Sequence, residues 1–460
     1  MDVKVGHLSD PEELPGLAHF CEHMLFLGTE KYPDENSYGA FLSQHGGYSN
    51  AFTATEDTNY YFEVTWPHLE DAMDRFAQFF IAPLFTESAT ERELQAVDSE
   101  NSKNLLSDMW RLYQLSKTMA DESHPFHKFG TGNYKTLWTT PKEQGISTRD
   151  ALLRFHQEHY SANRMCLTVV GRQDLDTLEG WVAPRFSVIR NTDAPVPTFS
   201  PQPYPPSHLA HRMEVVPVKD LREVSVVFPL PTIKPLYRSK PNRLISHLVG
   251  HEAPGSILHH LKELGWAHAL TAGVGHSMSS FAFFEVSVQA TAAGMEHRSE
   301  IVLAVFQYLA LLRGSGSLQW AHEEVAAEAA AEFRFKSKEP PSSYASRVAG
   351  YMHDYPSAHV LSGPHLIREF DADATSLLLS HLHADNAVVM FVDQAFGAEE
   401  GRCDRVEQWY GTRYSVAPIQ AEELSRLRSP PANPSLHLPE RNEFLATDFE
   451  LRCGDAPRER

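Results

Sequence analysis

Six prolines crowd the stretch 191–207, at positions 195, 197, 201, 203, 205 and 206. Proline fixes φ and removes a backbone donor, so neither a helix nor an internal strand runs through this stretch. The chain therefore folds as two units, 1–190 and 208–445, joined by a linker at 191–207. The first is expected to hold a strand at 3–8 and a helix opening at Pro11, Glu12 and Glu13 and stopping at Gly28. A hairpin at 49–64, helices at 67–81 and through 90–101, a helix at 150–160, a strand at 165–170 and a helix at 175–186 complete it. The second is expected to hold strands at 213–216, 223–228 and 281–289, and helices at 241–264, 295–312 and 318–336. Its end echoes the first: a helix, then His383-Ala384-Asp385-Asn386 and a strand at 387–392, against a helix, Tyr160-Ser161-Ala162-Asn163 and a strand. The pattern predicts an α+β fold of two duplicated domains, each a mixed sheet packed with helices, followed by a polar tail at 446–460.

Within the first unit, His19-Phe20-Cys21-Glu22-His23 places two imidazoles one helical turn apart, where both reach one metal ion. Glu22 lies on the same turn and can take a proton from water without being a ligand. The order His-x-x-Glu-His is the inverse of the commoner zinc-peptidase pattern. A catalytic zinc wants three protein ligands, so a third must lie downstream. Glu93 and Glu100, seven residues apart, share nearly one face of the helix through 90–101, although acidic residues on a helix ordinarily just face solvent. The pair His247 and His251 repeats the one-turn spacing but lacks a carboxylate between them, and Gly250 and Pro254 weaken the helix there.

These segments resemble the pitrilysin family of inverted-motif zinc peptidases, in its insulysin-like branch. The likeness runs through 16–28, Ser49-Asn50-Ala51-Phe52-Thr53, Asn59-Tyr60-Tyr61-Phe62, Ala96-Val97-Asp98-Ser99-Glu100-Asn101, His124-Pro125-Phe126, 128–133, Gly250-His251-Glu252, Pro254-Gly255-Ser256, Trp409-Tyr410-Gly411-Thr412 and Asn442-Glu443-Phe444. The resemblance implies one zinc ion per chain on His19, His23 and Glu100, with Glu22 as general base and Glu93 orienting the metal site. It implies that Asn50 and Ala51 lie on a strand whose backbone pairs with extended substrate, and that Phe26, Phe52, Trp110 and Tyr113 surround the cleavage site. It aligns His247, Gly250, His251, Gly255 and Gly273 with a region that anchors the N-terminal part of a substrate. The implied activity is metalloendopeptidase hydrolysis of short flexible peptides, with the fold forming half of a clamshell chamber. Family members of this type are about twice as long, which implies a partner: a C-terminal homologous half or another copy of the chain. The competing expectation is a peptide-binding half with little activity until paired.

Composition narrows the partners. A net charge of −20 disfavours nucleic acid and anionic membrane surfaces. No apolar run approaches the roughly 20 residues that span a bilayer. Cys21, Cys166, Cys403 and Cys453 show no paired spacing, and no leader pattern opens the sequence, so a reduced, cytoplasmic setting is expected, with a mitochondrial or peroxisomal pool also open.

Overall fold

The structure, a computed structural model, describes residues 1–450. The residues 451–460, with Cys453, lie outside the described residues.

Two sheets organise it. Strands β1 (Asp2–Val3), β2 (Tyr48–Thr53), β3 (Thr58–Glu63) and β4 (Met165–Cys166) form a four-stranded sheet in the order β2-β3-β1-β4, paired antiparallel. The second sheet has seven strands: β5 (His211–Val215), β6 (Glu223–Pro231), β7 (Ala267–Ser277), β8 (Phe281–Ala290), β9 (Val388–Val392), β10 (Arg405–Val406) and β11 (Arg413–Pro418). Their order is β10-β11-β5-β9-β6-β8-β7, and the parallel β5–β9 pair makes this sheet mixed. The α+β architecture expected from the sequence is therefore present. The echo between units is also structural: helix Thr148–His159, a 3-10 turn at Ala162–Arg164 and β4 match helix Ala372–His381, a 3-10 turn at Ala384–Asn386 and β9.

Apolar spacing explains the helices on the first sheet. Helix Leu69–Ile81 buries Leu69, Ala72, Met73, Phe76, Ala77, Phe79 and Phe80, one continuous stripe at helical period. Burying each phenylalanine ring contributes about 2–3 kcal/mol. The second sheet packs on helix Arg298–Gly314, whose Ile301, Val305, Phe306, Tyr308 and Leu309 are buried in the largest core. No single helix among the described residues is long and apolar enough to cross a membrane.

Several boundaries differ from expectation. The strand at 3–8 shrinks to β1, because the chain turns into a 3-10 helix at His7–Ser9. The strand at 165–170 is two residues long, since 167–170 have no neighbouring strand to pair with. The helices expected within 241–264 are Pro241–Val249 and Ile257–Glu263, with Gly250 and the positive φ of Gly255 in the break between them. Helix Pro341–Asp354 and β7 escaped full recognition: the helix buries mainly small and polar residues, Ser342, Ser346 and Ala349 beside Val348, and β7 is largely solvent-facing at its far end.

The proline-rich stretch is anchored along its length. Ser200 O accepts from His124 Nε2 at 3.1 Å, and buried Tyr204 donates its hydroxyl to Ser116 O at 2.8 Å. The two sheets' surroundings also meet directly. Asp108 accepts from the backbone N–H groups of Val218 and Lys219 at 2.8 and 2.9 Å, and the Phe129 ring stacks on Trp409 at 4.6 Å. These contacts fix the walls of the cleft described next.

Candidate metal centre and adjoining cleft

The His-x-x-Glu-His segment lies on helix Leu17–Met24. Its opening is set by a residue that sequence spacing did not single out. Asp10, buried, accepts from Gly16 N and Ala18 N, both at 2.7 Å, and so satisfies donors that a helix start leaves free. Pro11–Glu13, expected to open the helix, form a turn instead, because Asp10 caps from outside. The helix ends at Met24, before Gly28, whose positive φ serves the following turn. Gly16 has φ 95, and a Cβ there would meet Gly132 Cα at 2.2 Å. That close approach brings the Thr131 carbonyl against the first histidine.

His19 Nδ1 lies 2.7 Å from Thr131 O, and His23 Nδ1 lies 2.8 Å from Glu93 Oε1. Acceptors on both Nδ1 atoms hold the Nδ1–H tautomer and leave each Nε2 lone pair free. Both Nε2 atoms face Glu100 Oε2, at 3.4 Å for His19 and 3.7 Å for His23. One ligand atom from each of the three residues lies within 4.8 Å of the others, the one such group among the described residues. Tetrahedral ligands at zinc bond lengths sit about 3.4 Å apart, so the donor set fits that ion. Glu93 and Glu100 reach the two histidines from helix Glu87–Asn104, where their spacing puts both on the face toward the motif.

Electrostatics follow from this crowding. Burial alone would lower His23, but the Glu100 and Glu93 carboxylates outweigh it and raise its pKa to about 10 without a metal. The His19 and His23 nitrogens hold the Glu100 carboxyl well below the usual carboxylate range. Glu22 is buried and its pKa is raised, chiefly by desolvation. Its Oε2 accepts from Thr53 Oγ1 at 2.6 Å, which turns the carboxylate toward β2.

A cleft of 610 Å³ opens from His19 and Glu100 toward the second sheet, walled by Trp110, Tyr113, Phe126 and Phe283. Trp110 and Tyr113 thus both lie on the wall of the cleft that includes His19 and Glu100. Asn50 and Ala51 lie on β2, an edge strand of the first sheet, whose outer backbone side pairs with no strand among the described residues. Phe52, on the same strand, is 46% exposed and outside the cleft wall. Phe26 departs from expectation: its ring, partly buried, packs on Phe79 at 5.1 Å and near Tyr38 and Tyr60, against the apolar core. It lies two residues past the end of the motif helix, where its ring turns toward these aromatics rather than the cleft. His247, Gly250 and His251 line a separate, more open hollow with Leu270, Thr271 and Ala272, away from the histidine-glutamate group. Gly255 lies beyond it against His437, and Gly273 packs over Ser246. Cys21 is buried, and desolvation raises its thiol to about 12.

Thr53, Thr131 and Asp10 escaped sequence reasoning. Thr131 acts through its carbonyl, which no side-chain pattern betrays, and Thr53 and Asp10 are brought near only by the fold.

Comparison with known proteins agrees with this geometry. Residues 1–123 match the family described as Insulinase (Peptidase family M16), 147–328 its inactive domain and 333–459 its middle or third domain. Insulin-degrading enzyme of Homo sapiens is 46% identical over 98% of this chain and 44% of its own length. The A-factor-processing enzyme of Saccharomyces cerevisiae is 43% identical over the same shares of each. The crystal structure of pitrilysin superposes with a TM-score of 0.92 at 29% identity, covering 98% of this chain and 47% of that one. The chain spans about half the length of these relatives. With three consecutive domains matched and the histidine-glutamate group assembled, the chain belongs to the insulinase family of peptidases, family M16.

Proposed function

We propose that the chain is a zinc-dependent metalloendopeptidase half that hydrolyses short, flexible peptides. The observation carrying this reading is the convergence of His19 Nε2, His23 Nε2 and Glu100 Oε2 beside a buried Glu22 that is free of ligand duty. A zinc ion bound there supplies a Lewis acid that polarises the scissile carbonyl and acidifies water. His19, His23 and Glu100 hold it, while Thr131 O and Glu93 fix the two rings. Glu22 takes the proton from the attacking water at its carboxylate and returns it to the leaving amine. Its burial favours the neutral form, which brings its basicity toward neutral pH. The unpaired edge of β2 aligns the substrate as an added strand, with Asn50 and Ala51 offering backbone groups. Trp110 and Tyr113 supply apolar surface in the cleft.

Half-length coverage of the relatives favours a second element: full activity needs a C-terminal homologous half or another copy that closes over the cleft. The test is hydrolysis of a quenched fluorescent peptide by the zinc-loaded chain, beside Glu22→Gln and a chelated sample. Turnover lost in both controls supports the reading. Stoichiometric zinc without turnover, even after adding the C-terminal half of a relative, overturns it.

A further inference from the structure

The cleft holds more than the metal group needs. Its far wall is built from β6 and β8, and two carboxylates, Glu223 and Glu285, line it there among Val227, Phe283 and Tyr204. Both are on neighbouring antiparallel strands, with Val227 opposite Glu285 and Glu223 opposite Gln289. Neither carboxylate has a lysine, arginine or histidine nitrogen within 4.0 Å among the described residues; the hydrogen bond given to Glu223 Oε1 comes from the neutral hydroxyl of Ser225, at 2.8 Å. Glu285 is raised above the usual carboxylate range by burial and then by Glu223 beside it, the behaviour of an uncompensated pair.

The cleft's own cations do not answer these charges. His7 Nδ1 is held by Ala54 O at 3.1 Å and its Nε2 by Lys117 Nζ at 3.1 Å, and burial keeps the ring neutral. Lys117 is fully buried on the near wall, bonded also to Lys128 O, and desolvation lowers it to about 7. His276 lies over Tyr113 with ring centroids 4.7 Å apart and is lowered by burial as well. Near neutral pH His7 and His276 are thus uncharged, and Lys117, only partly protonated, is turned into the near wall by its bonds to His7 and Lys128, while the far wall is acidic and flanked by aromatic rings. Glu100, the remaining carboxylate of the cleft, is committed to His19 and His23.

We infer that Glu223 and Glu285 are specificity-determining residues that receive a cationic side chain, arginine or lysine, of a peptide lying in the cleft that opens from the metal group. Two neighbouring carboxylates without a counter-ion, Glu285 among them desolvated, gain most from a cation that brings its own hydrogen-bond donors, and a planar guanidinium also stacks on the aromatic walls. The role belongs to binding away from the reacting bond, so it acts on affinity and KM rather than on the proton transfers of Glu22. It rests on the peptidase reading only for the identity of the ligand as a peptide.

The experiment separates the two. Fluorescein-labelled nonapeptides, uncharged apart from one arginine walked through the sequence, are titrated into the Glu22→Gln chain and followed by anisotropy, each beside its citrulline counterpart. At one or two adjacent positions arginine is expected to bind at least tenfold tighter than citrulline, and in a Glu223→Gln/Glu285→Gln variant of the same chain the two bind alike. Equal binding of arginine and citrulline peptides at every position, a preference that survives the double substitution, or no measurable binding overturns the inference. The peptide-side exchange needs no substitution on the far wall, so misfolding of the variant cannot hide the result. A clear arginine preference beside a zinc-loaded wild type that stays inactive even with the C-terminal half of a relative added would sink the peptidase reading and leave this one standing.

Discussion

Glu93 Oε1 lies 2.8 Å from His23 Nδ1, on the side of the ring away from Glu100. The imidazole is thereby held between two carboxylates of one helix, one orienting it and one sharing its ligand face. Replacing Glu93 with alanine frees the ring and removes the acceptor that makes Nε2 more basic. Zinc affinity is expected to fall about 10- to 100-fold while the fold persists. Competition with a fluorescent zinc chelator measures it; unchanged affinity would show that Glu93 has no part in the site.

The same geometry makes the metal-free chain sensitive to alkali. His23 titrates near 10 in the fold against an ordinary value of 6.5. A group raised in this way contributes stability that is fully present below pH 6.5 and is lost as pH climbs through 10. With chelator present, the Tm advantage of the wild type over His23→Gln is expected to shrink steadily from pH 7 to pH 10. Zinc must displace the same proton, so its apparent affinity should rise with pH across that window. A Tm difference flat in pH, from scanning calorimetry, would contradict the shift.

The sequence was informative where chemistry is local. His19, Glu22 and His23 are neighbours on one turn, and their relation is legible from spacing alone. Glu93 and Glu100 share a face for the same reason, but nothing local says that this face meets the motif helix; resemblance supplied that. Phe26 shows the limit in the other direction, since an aromatic beside an active-site motif looks the same whether it points to substrate or to Phe79. The proline run marks a stretch whose only regular element among the described residues is a short 3-10 turn at Pro206–His208, yet its anchoring through Tyr204 and Ser200 depends on surfaces assembled from distant segments. The carboxylates Glu223 and Glu285 were invisible as a pair because β6 and β8 are joined only through the sheet register.

Gly16 offers a test of how closely the motif helix must approach its neighbour. Any side chain there is strained at φ 95 and would collide with the backbone of Gly132. Gly16→Ala is expected to cost at least about 3 kcal/mol, combining left-handed strain with overpacking. Thermal unfolding would reveal it as a large drop in Tm, and zinc binding should weaken because Thr131 O moves off His19. A Tm within experimental error of the wild type would mean the Gly16 and Gly132 backbones are not in contact.

Thr53 joins β2 to Glu22, the proposed general base. Its hydroxyl donates to Glu22 Oε2 at 2.6 Å and lies near Thr58 Oγ1 at 3.4 Å, so it ties the Glu22 carboxylate to the β2–β3 hairpin. Thr53→Val keeps shape and strand propensity but deletes the donor. A hydrogen bond to a charged acceptor is worth about 1.5–3 kcal/mol, so the carboxylate loses both orientation and preference for its ionised form. In a zinc-loaded preparation that hydrolyses peptide, kcat is expected to fall about tenfold or more, with zinc stoichiometry unchanged and the acidic limb of the pH profile moved upward. The direction follows from charge: removing a donor to a carboxylate raises its pKa, so a higher pH is needed to ionise it as base. Thr53→Ser restores the donor and should recover most of the turnover. A valine variant with an unmoved acidic limb would place Glu22 outside the proton transfer, and equal losses in valine and serine variants would assign Thr53 a packing role alone.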